Sequence, residues 1–106
     1  MKMILAIIRS DDSRQTLDAL TNAGYRVTKV ATEGAWLRKE NTTLLMGVQD
    51  NQVDHALKML KRVAGKRTGK QLFQGDLAIG IPPEEVELEI GGATVFVIDI
   101  GQFVQM

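Results

Sequence analysis

VELEIGGATVFVIDI, Val86 to Ile100, alternates apolar and acidic residues as far as Ile90, breaks at Gly91-Gly92, and then runs apolar almost to its end. Period-two alternation marks Val86 to Ile90 as a half-exposed strand, and the β-branched run Ala93 to Ile100 marks a return strand. A pair of glycines between two such runs predicts a tight hairpin, because the favoured hairpin turns need positive φ, which glycine accepts at little cost.

The preceding segments divide by period. Gly65 to Pro83 carries glycines, both prolines of the chain and no sustained repeat, and reads as a long loop or partly mobile arm. Before it, Val53, Ala56, Leu57, Leu60, Val63 and Ala64 recur at helical spacing behind the cap candidates Asp50 and Asn51, with Lys58, Lys61 and Arg62 on the polar side. Thr42 to Val48 and Tyr25 to Ala31 read as strands; in the second, Arg26, Thr28 and Val30 share one face. Ser10 to Ser13 offers helix caps, Leu17 and Leu20 an apolar stripe, and Gly24 a glycine just past the helix end. Met3 to Ile8 is a short buried strand.

The order is βαββαβ with an extra C-terminal hairpin strand, which predicts an α+β, ferredoxin-like sandwich with both helices on one face of the sheet. The other face needs a cover, and self-association is the common one.

The 106 residues suit one domain, 1–106, with mobile loops expected at 32–40 and 65–83. Thirteen basic residues balance thirteen acidic ones, so a nucleic-acid polymer is not an expected partner. Cysteine is absent and His55 is the only histidine, so thiolate and multi-histidine metal sites are not expected. The apolar start of MKMILAIIRSDD is cut short by Arg9, Asp11 and Asp12, which predicts neither a signal peptide nor a membrane span and makes a cytoplasmic location the expectation.

Catalysis finds little support. His55 lies within the second helix and reads as solvated, and no GxSxG motif is present. The neighbouring acids Asp11-Asp12 and Glu84-Glu85 read as helix-start or loop charges, and Glu87 and Glu89 as a strand's solvated face. GKRTGK, Gly65 to Lys70, has phosphate-loop residue types but follows a helix instead of a strand. A set with more chemistry is Arg26, Thr28 and Asn41: a planar cation for phosphate, a hydroxyl, and an amide that both donates and accepts. Gly47, inside a strand, permits close approach of a ligand or backbone, and Trp36 offers a stacking surface. Each also has a plain alternative: Trp36 as a core or interface anchor, Asn41 as a turn residue, Arg26 as a surface ion pair.

VTKVATEGAWLRKENTTLLMGV (Val27 to Val48) and EVELEIGGATVFV (Glu85 to Val97), within a match that runs over nearly the whole chain, resemble the PII-like cyclic di-AMP receptor family of the PII signalling superfamily. The resemblance implies a PII-like homotrimer of ferredoxin-like subunits that binds cyclic di-AMP between subunits and has no enzymatic activity. It implies a ligand set of Arg26, Thr28, Trp36, Leu37, Asn41, Gly47, Gly92, Phe96 and Gln105. It also implies a signalling role through a downstream protein target, which the sequence does not name. Receptors for ATP, ADP or another adenine nucleotide, and a structural trimer without ligand, are the alternatives.

Overall fold

The computed structural model describes residues 1–30, 40–73 and 75–106. Its elements are β1 (Lys2–Arg9), α1 (Ser13–Asn22), β2 (Val27–Val30), β3 (Asn41–Val48), α2 (Val53–Ala64), β4 (Arg67–Phe73), β5 (Glu84–Ile90) and β6 (Ala93–Asp99). Short 3-10 turns at Ser10–Asp12 and Asp50–Gln52 lead into the two helices.

Four strands form an antiparallel sheet in the order β2-β3-β1-β6. Alternate residues of the two central strands, Ile4, Ala6 and Ile8 with Leu44, Met46 and Val48, are buried together with Leu20 of α1 and Ala56, Leu60 and Ala64 of α2. Both helices therefore lie on this one face. Ala56 and Ala64 are fully buried; their small size lets α2 settle close to the strands. This is the α+β, ferredoxin-like arrangement that the pattern of the chain predicts.

The first helix ends as expected. Gly24 has φ +93, its N–H donates to Thr21 O at 3.0 Å, and the Tyr25 N–H donates to Leu20 O at 3.0 Å. These are the two bonds of a Schellman cap. The accompanying apolar contact pairs Leu20 with Tyr25, both in the core.

The hairpin expected at Gly91-Gly92 is not formed. Ile90 pairs with Arg67 of β4, while Ala93 pairs with Ile8 of β1. The two glycines, at φ +77 and +124, carry the chain from a two-stranded β4-β5 ribbon into the main sheet, and the Gly92 N–H donates to Ala64 O at 2.9 Å. The extra strand thus belongs to an insertion ahead of the last sheet strand. Residues 65–83 differ likewise from the loop expected there: they hold β4 and a 3-10 turn at Leu77–Ile79. Gly69 and Lys70 weaken the strand pattern in RTGKQLF; pairing with the strongly alternating β5 supplies what the local sequence lacks.

The ribbon projects. The radius of gyration is 17.7 Å and the long axis 64 Å, against a radius of about 13 Å for a compact domain of this length. At its base Arg67 grips Asp12 with both arms of the guanidinium, Nη2 to Oδ1 at 2.5 Å and Nη1 to Oδ2 at 3.2 Å, and Nη1 also donates to Gly65 O at 3.0 Å. The hydrogen bond to Asp12 is the main cause that holds Arg67 above the ordinary arginine pKa. Gly91 lies beneath this guanidinium, and a side chain there would collide with Arg67 and with Gly65 O. Asp12 thus stands at the N-cap position of α1, as a helix-start acid should, but its side chain makes no capping hydrogen bond and is buried against Arg67 instead of solvated.

Candidate functional site

The Schellman cap that turns Tyr25 inward delivers the next residue, Arg26, to the other side of the chain. Arg26 and Thr28 line a cleft of about 460 Å³ together with Gly47 of β3. Thr28 pairs with Leu45, and Gly47 pairs with Met3 of the central strand, so the cleft opens on the face of the sheet away from the helices. Among the described residues Arg26 makes no hydrogen bond or ion pair, which leaves a guanidinium free at the mouth. A Cβ at Gly47 would meet only Met1 Cε, at 3.8 Å, an ordinary contact. Nothing within the described chain requires glycine at this position.

The side wall is Tyr25, 8% exposed. Its hydroxyl lies 2.6 Å from His55 Nδ1 and 3.5 Å from Gln52 O, with the two rings 5.8 Å apart at 33°. His55 is solvent-exposed, as its helical setting suggests, and also braces this wall from α2. Gln52 and the tail residue Phe103 complete the rim. Among the described residues no group of three or more acidic or histidine side chains is placed to hold a metal ion.

The family model for cyclic-di-AMP receptors matches residues 1–106. The chain belongs to the cyclic-di-AMP receptor family. Family membership supports a cyclic di-AMP-binding role and places the chain among receptors. A crystal structure of a functionally unknown protein from Pediococcus pentosaceus is similar over 99% of this chain and 96% of that one, at 26% identity and a TM-score of 0.75.

The residues expected to touch ligand are not all brought together by one chain. Arg26, Thr28 and Gly47 share the cleft. Phe96, 45% exposed, lies in the same row across the sheet, Thr28-Leu45-Leu5-Phe96. Three strand spacings separate its ends, roughly 14 Å. Asn41 pairs with Arg9 at the far end of β3, about 20 Å from Gly47 along the strand. Gly92 stands near that same end, next to Ala93, the partner of Ile8. Gln105 is exposed in the tail. Trp36 and Leu37, with 32–39 of the segment 32–40, lie outside the described residues.

Tyr25, Gln52 and Phe103 were not legible as cleft residues. The Tyr25–His55 contact joins positions 30 apart, and Phe103 sits in a tail without periodicity. The one available signal was adjacency: Tyr25 immediately precedes Arg26. No helix among the described residues is long and apolar enough to cross a membrane.

Proposed function

We propose that this protein is a cytoplasmic, non-enzymatic signal receptor that binds cyclic di-AMP between the subunits of a homotrimer and thereby changes the surface it offers to a protein target. The observation that carries the reading is Arg26, unpaired among the described residues, beside Thr28 and Gly47 in one cleft. A free guanidinium suits a phosphate, a hydroxyl suits a phosphate or a base edge, and a glycine that the chain's own packing does not require suits close approach of a ligand.

Assembly follows from the division of the site. One sheet face carries Arg26, Thr28 and Gly47 at one end and Asn41 and Gly92 at the other, so a single ligand meets both groups only when a second subunit brings its far end to the first one's cleft. The same face is apolar: Leu5, Ile7 and Leu45 are half-buried, and Phe96 and Ile98 are 45% and 41% exposed. Burial of such a face drives association. In this reading Trp36 and Leu37 also contact the ligand, and ligand at the subunit boundary reorients the segment 65–83. The projecting ribbon is the readout, because its movement alters surface far from the cleft.

Calorimetric titration of the purified protein with cyclic di-AMP tests the reading, with the assembly mass measured in parallel. Saturable heat at one ligand per subunit in a trimer is the expected result. The absence of heat or thermal stabilisation at high micromolar ligand sinks it. Competition by ATP or ADP in the same titration identifies a receptor for another adenine nucleotide.

A further inference from the structure

We infer that Phe103, in the tail that follows β6, is an adenine-stacking residue of this cleft, so that the C-terminal segment closes over the nucleotide in the subunit that supplies Arg26. The inference rests on the proposed binding of cyclic di-AMP and names a residue that this proposal does not include.

The cleft has a cation, a hydroxyl and an open backbone approach, but among the described residues its walls provide little free ring surface. Tyr25 is 8% exposed and its hydroxyl is engaged by His55. Phe96 stands across the sheet outside the cleft. Phe103 lines the same cleft as Arg26, Thr28 and Gly47 and is 62% exposed. It is therefore an available aromatic face within the cleft, and its ring is not committed to the core. The tail leaves the sheet after Ile100, whose N–H donates to Met1 O at 3.3 Å. Gly101 follows at once, in open space where even a Cβ would touch nothing. A short arm on a glycine, tethered at the cleft's own edge, can settle its ring on a bound base without disturbing β6. Stacking on any base needs only an exposed π-face, and the ordering cost falls on a few tail residues.

The test is calorimetry with cyclic di-AMP on the full chain, comparing wild type with Phe103→Ala, Phe103→Trp and Val104→Ala. Val104 neighbours Phe103, is 56% exposed and does not line the cleft. Phe103→Ala is expected to weaken binding about 5- to 150-fold, the range equivalent to one lost base–aromatic stack. Phe103→Trp is expected to stay within about threefold of wild type, as a ring replaces a ring, and Val104→Ala to leave affinity unchanged. Ligand-free melting temperature and assembly mass are expected to stay the same in all three. Wild-type binding with an unaltered affinity for Phe103→Ala overturns the inference and leaves the receptor reading standing. Weakened binding accompanied by a lower ligand-free melting temperature or a changed mass also overturns it, in favour of a packing contact. Failure of wild type to bind overturns both.

Discussion

Removing the guanidinium at the base of the ribbon should cost more than removing the carboxylate it holds. The Asp12 side chain is 9% exposed and that of Arg67 33%. Arg67→Ala strands a buried carboxylate, and breaking a buried pair in this way costs about 3 kcal/mol, the low end of the usual range because Arg67 itself is partly hydrated. Asp12→Ala leaves a cation that keeps its bond to Gly65 O and can turn to water, a loss of about 1 kcal/mol. The double variant contains no stranded charge and should resemble Asp12→Ala, giving a coupling on the order of 3 kcal/mol. For a domain of this size the single variants then melt roughly 12–24 °C and 4–8 °C below wild type. Urea unfolding followed by circular dichroism gives the four corners of the cycle, and hydrogen exchange shows whether β4 and β5 lose protection first. An Asp12→Ala cost equal to or above that of Arg67→Ala, or additive single effects, would refute the argument.

Arg26→Ala should reduce cyclic di-AMP affinity at least tenfold by calorimetry while the ligand-free melting temperature stays within a degree or two, because the side chain has no partner to lose among the described residues. Gly47→Ala should separate binding from stability: the strand loses a glycine and the new Cβ meets only Met1 Cε, so ligand-free stability is kept or raised while affinity falls more than tenfold. Gly24→Ala should cost about 1 kcal/mol in urea unfolding, the penalty for a Cβ at positive φ, since that Cβ would otherwise meet open space. The exposed pairs Lys66–Glu89 and Lys70–Glu85, at 3.9 and 3.7 Å, should matter little: Lys70→Ala is expected within about 0.5 kcal/mol of wild type.

Local rules carried much of the fold. The period of Val53 to Ala64, the cap glycine Gly24 and the apolar runs of β1 and β3 give both helices and the strands they cover before any pairing is known. Partner choice is where local rules ended. Gly91-Gly92 has the backbone of a turn, yet whether β6 folds back on β5 or joins β1 depends on what β1 offers, and Ile4, Ala6 and Ile8 offer a core that β5, with its acidic alternate positions, cannot complete. The site divides in the same way. Arg26, Thr28 and Gly47 are legible together because β2 and β3 are neighbours and one strand face carries the first two. The brace from His55 to Tyr25 and the reach of Phe103 to the cleft are contacts between elements that share no pattern.

The sheet order has a consequence for how the chain folds. Central strand β1 takes β3 on one side and β6 on the other, and the ion pair between Lys2 and Asp99 joins residues 97 positions apart. Translation therefore yields β1 long before its second neighbour exists, and until β6 arrives a line of unpaired amides and carbonyls beside Ile4, Ala6 and Ile8 is open to any extended segment nearby. Closing so distant a pair costs loop entropy before its contacts repay it. Completion of the sheet, and with it the setting of the tail that carries Phe103, is therefore a late event, and a chain that stops short of β6 lacks one wall of its own core.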